Sequence, residues 1–288
     1  MKTSLDARFV FCALGLSFAF SATATTSTST LSNGNASVTI KTAAGLTDPD
    51  FGMNSWKVDG VDQLYRQWFW FRTGYKSAEK TISQLELESP CHQESDNYLT
   101  TKYVSPGKFT VGINYTLLGG AAGSGSSTIG EQIIVKNISG TALDFHFFQY
   151  VDFDLGGSSA GDTLVLGKDA SGLFNSAYQH KGNSYFADEF LTPGANHGQA
   201  ALASPLFTLY YSLTDGSPTT LNDFAGPITG DTSWAFQWDV IIPVNGTFNI
   251  SLNKSVYITS AVPEPSALAL AGLTCALFVG LRRTRCKR

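Results

Sequence analysis

From Asn33 to Ser260 the chain keeps one habit. Short runs rich in Val, Ile, Thr, Tyr and Phe recur between Gly, Asn, Asp and Pro, and apolar residues do not repeat at helical spacing. Side chains alternate in direction along a strand, so runs of this kind bury one face and expose the other. The expectation is an all-β body over residues 25–260. Roughly twelve to fourteen strands are counted, a number that suits a two-sheet antiparallel β-sandwich.

The segments differ in character. Ala36–Ile40 alternates, and Trp56–Leu64 reads as a strand reversed by the tight Asp59-Gly60 turn. Gln67–Arg72 sets four aromatics in a row (Trp68, Phe69, Trp70, Phe71), so both its faces are apolar and the strand is expected to be central. Ile82–Leu87 and Phe109–Leu117 alternate. Gly119–Ser127 is expected to be a flexible loop. Glu131–Asn137 and Leu143–Phe153, joined at Ile138–Thr141, read as the best hairpin of the chain. Glycines break residues 156–200, which are expected to be the least regular part. Strands resume at Leu206–Leu213, Ser233–Ile242 and Thr247–Leu252.

The two ends point outward from the cytoplasm. Lys2 and Arg8 precede an apolar stretch, Phe9–Phe20, and Ala22-Thr23-Ala24 offers small residues for a signal peptidase. Residues 1–24 are therefore read as a cleaved signal peptide. At the other end, Pro263-Glu264-Pro265 and Ser266 precede fifteen uncharged residues, Ala267–Leu281, and then Arg282, Arg283, Arg285, Lys287 and Arg288. A helix of that length is a little short for a hydrocarbon core of ~30 Å, but the basic side chains can snorkel outward. The expectation is a single C-terminal transmembrane helix with the basic tail inside. Between the prolines the backbone is extended and lacks donors, which leaves Glu264 open to a reader.

These three parts resemble the PEP-CTERM sorting signal, over residues 261–288. The resemblance implies a substrate of an exosortase-type transpeptidase, held briefly in the inner membrane and then passed to the cell surface or beyond. The body is similar to a recurring all-β type of PEP-CTERM protein of unknown function. That likeness is carried by Val58–Leu64, Gln67–Arg72, Phe147–Leu155 and Gly230–Asp239, and it implies no chemistry.

Charge and cysteine usage narrow the partners. The chain has 19 basic and 23 acidic residues. Lys2, Arg8 and Asp6 go with the leader and five basic residues lie in the tail, which leaves the exported part strongly acidic. Such a surface excludes nucleic acid. Cys91 is the one cysteine outside leader, anchor and tail, so no internal disulfide is available to the body.

Candidate chemistry is sparse. On 143–153 the alternation puts Asp144, His146, Phe148, Tyr150, Asp152 and Asp154 on one face. Asp152 and Asp154 are the candidate metal ligands, but two carboxylates fall short of the six to eight oxygens that Ca²⁺ takes. A solvent-facing strand end is expected instead, with no metal and no cofactor. His92, His146, His180 and His197 have no His or Cys partner at zinc spacing. Trp68 with Trp70, and Trp234 with Trp238, fall on common faces. They are expected in the core, with an exposed ligand platform for saccharide as the other use of such rings. No catalytic residue is assigned. Together these readings give a non-enzymatic exported surface or extracellular-matrix protein, with polysaccharide as its candidate ligand. The alternative is an exported carbohydrate-active hydrolase or lyase whose carboxylates the sequence does not identify.

Overall fold

The computed structural model describes residues 27–43, 51–88, 92–203 and 208–259. Residues 1–24, expected to be a signal peptide, Cys91, and residues 261–288, expected to be a sorting segment with its Pro263-Glu264-Pro265 motif, apolar run and basic tail, lie outside the described residues.

The chain passes back and forth between two sheets. The first sheet takes β1 (Ser27–Asn33), β2 (Ala36–Ala43), β3 (Gly52–Val58), β4 (Val61–Asp62), β5 (Leu64–Thr73) and β6 (Lys80–Thr81). The second takes β7 (Glu86–Leu87), β8 (His92–Ser95), β9 (Tyr98–Ser105), β10 (Phe109–Gly119) and β11 (Ser126–Asn137). The chain returns to the first sheet with β12 (Leu143–Phe153) and to the second with β13 (Asp162–Lys168), β14 (Phe174–Lys181) and β15 (Tyr185–Ala195). It then alternates: β16 (His197–Leu202) in the first, β17 (Ile228–Gly230) in the second, β18 (Thr232–Ile242) in the first, β19 (Thr247–Ile258) in the second. The first sheet runs β1-β2-β3-β5-β12-β18-β16, and the second β17-β13-β14-β15-β19-β11-β10-β9-β7. Every registered pair is antiparallel, so the two-sheet sandwich expected from the alternation is what forms. Among the described residues the helical parts are α1 (Thr208–Ser212) and a 3-10 turn at Ile82–Gln84. No helix there is long and apolar enough to cross a membrane.

The core lies between the sheets. Phe69 stacks on Phe147, and Phe145 packs against Phe71 and against Phe109 of the second sheet. Trp68, Trp70, Trp234 and Trp238 are each 1% exposed. They are not a ligand platform: each is enclosed by packing, and the three whose indole partner is resolved donate it inside the protein. Trp68 gives Nε1–H to Thr81 Oγ1, Trp234 to Glu189 Oε2 and Trp238 to the Pro193 carbonyl. Burying a ring of 150–250 Å² at ~25 cal/mol per Å² gives about 4–6 kcal/mol before entropy, more than an exposed stacking ring could recover.

Several local expectations are corrected. β11 and β12 are not a hairpin: β11 pairs with β10 and β19, while β12 pairs with β5 and β18. The connector crosses between sheets, and its corner is fixed by Asn137 Nδ2, which donates to the Thr141 and Ile242 carbonyls. Residues 156–200 are regular, holding β13, β14, β15 and most of β16: Gly156, Gly157, Gly161, Gly172 and Gly182 fall between strands, and Gly167, Gly194 and Gly198 are accommodated within them. Thr208–Ser212 is helical rather than extended, and Ile82–Gln84 is a 3-10 turn. Ser27–Asn33 forms a strand ahead of the one expected first. The 119–127 loop is tied down: Asp59 accepts N–H groups from Gly123 and Gly125, and Asn35 from Gly120. The Asp59-Gly60 turn forms as expected, with φ of 48° and 82°.

Candidate functional site

β12 lies inside the first sheet between β5 and β18, and its register brings chemistry together at its C-terminal end. Asp152 pairs with Arg66 on β5 and with Ser233 on β18. Alternation holds as expected. Gln149 reaches inward to Glu189, while Tyr150 and Asp152 lie on the opposite face, where the Tyr150 hydroxyl donates to Asp152 Oδ2 at 3.0 Å. Asp154 follows one alternation later, and Asp231 precedes β18 at the same level. Asp152, Asp154 and Asp231 can each offer an oxygen within 4.8 Å of the other two.

The strand end is not solvent-facing as expected. Asp152 is 1% exposed, and its Oδ1 has no hydrogen-bond partner. Burial raises its pKa to about 8; Tyr150 works against that rise, and the charges of Asp154 and Asp231 add to it. Burial raises Asp154 and Asp231 as well, with Asp231 adding to the effect on Asp154 and Lys181 opposing both. At neutral pH the cluster therefore holds a proton on its innermost member, Asp152.

In front of the cluster is an open pocket of about 390 Å³, walled by Asn54, Asp62, Tyr65, Arg66, Asp154 and Gly157. That volume lies in the range of small-molecule sites, ~300–1,000 Å³. Tyr65 is 48% exposed, a ring free on one side, and the Arg66 guanidinium lies 5.0 Å from the ring centre of Tyr210 on α1. The floor is set by Asp62, which accepts from Ser55 Oγ and the Trp56 N–H. The 154–158 loop is held by Lys181, which donates to the Leu155 and Ser158 carbonyls, and by Gln63, which accepts the Gly156 N–H. As cation ligands the three aspartates would supply three oxygens, half of what Ca²⁺ needs.

A second polar cluster lies further along the same face. His146 Nδ1 meets Asp239 Oδ1 at 2.5 Å, and His197 bridges Asp223 (3.1 Å) and Asp239 (3.5 Å). Burial alone would raise Asp239, but hydrogen bonds from His146 and Gln237 bring it below the usual carboxylate range. This cluster is roofed. Residues 219–223 cross over it, with the Thr219 N–H donated to Glu79, the Leu221 N–H to Gln237 and the Asn222 N–H to Gln199. Arg72 is sealed beneath, paired with Glu79 at 2.6 Å. The cluster pins a strap.

Of the sequence candidates, Asp152 and Asp154 are brought together, and the four tryptophans are buried. His146 and His197 meet through Asp239, which their sequence spacing did not reveal. Asp231, Tyr65, Arg66 and Asn54 were missed. The signal for Asp231 was present: Gly230–Asp239 and Phe147–Leu155 were both singled out, and antiparallel pairing of those two strands aligns Asp231 with Asp154.

No protein-family model matches the chain, and no curated protein does. Solved structures match in fold. A protein of Escherichia coli K12 described as a candidate aldose 1-epimerase aligns over 81% of this chain and 100% of its own, with 12% identity and a TM-score of 0.55. A galactose mutarotase related enzyme from Lactobacillus acidophilus aligns over 82% of this chain and 99% of its own, at 10% identity and a TM-score of 0.51. A bacterial glucoamylase aligns over 87% of this chain but only 36% of its own length, at 10% identity and a TM-score of 0.53. What the chain shares with them is the sandwich. These likenesses correct the expectation of a non-enzymatic surface protein. The proteins that share the fold bear the names of sugar-converting enzymes.

Proposed function

We propose that the chain is a carbohydrate-active enzyme that moves protons at the anomeric centre of a sugar, as an aldose 1-epimerase does. The observation that carries this reading is the three-aspartate cluster behind a sugar-sized pocket, with one member protonated at neutral pH. An acid and a base of the same residue type, driven apart by burial, is the pattern of acid–base sites. Their separation, within 4.8 Å, is short of the ~6.5–9.5 Å that an inverting glycosidase needs to hold a water between its carboxyls. It suits two oxygens on one carbon.

In this mechanism Tyr65 stacks on the apolar face of the sugar, and Arg66 and Asn54 hold its hydroxyls. Asp154, resupplied by Asp152, gives a proton to the ring oxygen while Asp231 takes the proton of the anomeric hydroxyl. The bond from the anomeric carbon to the ring oxygen breaks, leaving an open-chain aldehyde. Rotation of the aldehyde and closure by the reverse steps yield the other anomer. One proton leaves the cluster and one returns.

The test is the polarimetric decay of freshly dissolved α-D-glucose and α-D-galactose, beside reducing-sugar release from neutral oligosaccharides. Accelerated decay that Asp154→Asn lowers by about 10²–10⁴-fold is expected for a proton-transfer group. Failure of both assays, or full activity in Asp154→Asn, overturns the reading. Release of reducing sugar without accelerated decay moves the chemistry to hydrolysis.

We also propose that the enzyme is exported and sorted. Signal peptidase removes residues 1–24, and an exosortase-type transpeptidase reads Pro263-Glu264-Pro265 while the C-terminal helix sits in the inner membrane. The order of motif, apolar run and basic tail supports this. Glu264→Ala should leave a longer, membrane-retained form, and equal release of variant and parent would sink it.

A further inference from the structure

The outer face of the second sheet carries a feature that the pocket does not use. One row of side chains crosses the strands in register: Phe190 opposite Asn253, Asn253 opposite Gly130, Gly130 opposite Thr116, Thr116 opposite Tyr98. Adjacent strands lie ~4.8 Å apart, so the row spans about 19 Å with a ring at each end. Its middle is a groove of about 320 Å³ along which Asn114, Gln132 and Ser251 also lie. Phe190 is 57% exposed, and the next position in register beyond it is Ser176.

Gly130 forms the floor. A Cβ there would meet nothing within 4 Å, and its φ is outside the left-handed region, so neither packing nor backbone conformation requires glycine. A glycine inside a strand weakens it and often marks close approach of a ligand. The groove is also free of charge. Glu131 and Lys254, the sequence neighbours of Gly130 and Asn253, turn inward and are 2% and 0% exposed. The row offers amides, hydroxyls and rings, on a chain whose formal net charge is −4. An ionic polymer finds no counter-charge there, whereas a neutral, hydroxyl-rich chain finds a partner for both its polar edges and its apolar faces.

We infer that this face binds a neutral polysaccharide, at a site separate from the Asp154 pocket. It would hold the enzyme on a polymer while the pocket works on free sugar, and it stands whether or not the pocket reading holds.

The experiment is affinity electrophoresis in native gels containing dextran, galactomannan or hydroxyethyl cellulose. The parent should be retarded by at least one of them. Gly130→Val, which places a side chain in open space, should melt no lower than the parent yet lose about tenfold in affinity, a shift of ~1.4 kcal/mol. Tyr98→Ala should lose a similar factor, and Asp154→Asn should bind as the parent does. No retardation by any of the three polymers overturns the inference, as does equal retardation of Gly130→Val. A change in size-exclusion volume for Gly130→Val in place of lost retardation assigns the face to a second copy of the chain and overturns it too.

Discussion

Two groups of buried carboxylates lie in this sandwich, and they are treated in opposite ways. Between the sheets, Glu131 and Glu189 share Lys254, at 2.9 and 3.3 Å, and all three are 2% exposed or less. Gln67 donates to Glu131, while Gln149 and Trp234 donate to Glu189. Burial opposes the charge of Lys254, but the two glutamates outweigh it and raise its pKa; burial raises Glu131, and Lys254 counters that. At the end of β12 the buried Asp152 has no lysine. Burial raises its pKa, its nearest charges are two further aspartates, which raise it again, and the Arg66 guanidinium counters them. A fold that needed only stability would neutralise or remove that group, as it does between the sheets. Carboxylates matched to a cation describe a structural device, and carboxylates left to share a proton describe a reactive one.

The sharpest way to break the comparison is to remove the cation. Lys254→Met leaves two glutamates buried without it and should cost about 3–5 kcal/mol, read from urea unfolding. Adding Glu131→Gln and Glu189→Gln to Lys254→Met should return much of the loss. If Lys254→Met alone unfolds no more easily than the parent, the interior trio is not an ion network. A smaller effect is expected from Trp234→Phe. It keeps most of the ring packing on Phe153 but deletes the Nε1–H bond to Glu189. The loss should be about 1.5–3 kcal/mol, the range for a hydrogen bond to a charged group. A change confined to packing would cost the same in a Glu189→Gln background, and that additivity is the result to watch for.

Much of this architecture could be read from the residues. Alternation gave the sandwich, and on 143–153 it put Gln149 and Asp152 on opposite faces, as they are, because side-chain direction in a strand is a local property. Pairing is not local. Glu131–Asn137 and Leu143–Phe153 look like two arms of a hairpin, yet their partners come from residues far away in sequence, and nothing in the connector distinguishes a turn from a corner. The site failed for the same reason. Asp152 and Asp154 were visible two apart, but Asp231 joins them only through the pairing of β12 with β18. Burial was underestimated because α1 and the strap cover the outer face of the first sheet, so Tyr150 and Asp152 on a nominally exposed face are enclosed. The tryptophans were legible as core because their neighbours were apolar as well.

The finest test lies in the aspartate cluster. Asp152 has a folded-state pKa of about 8, well above that of an unfolded aspartate. Between about pH 4 and 8 the folded chain keeps this proton and the unfolded chain has lost it. Stability therefore falls as pH rises through that window, by at most ~1.4 kcal/mol per pH unit from this one group, and levels off above it. Glu131, Asp154 and Asp162 are also raised and slope the same way, so the informative quantity is the difference between the parent and Asp152→Asn. Below pH 4 the two should be equally stable. From there the variant should gain steadily on the parent up to about pH 8, while its sugar-converting activity falls and its pH–rate profile loses the limb that Asp152 supplies. Glu131 is raised by burial too, with Lys254 countering, so Glu131→Gln should gain on its parent in the same direction but leave the sugar-converting activity and its pH–rate profile untouched. Parallel stability curves for parent and Asp152→Asn would mean that this carboxyl keeps no extra proton in the fold, and an unchanged pH–rate profile would remove the distinction between the two clusters.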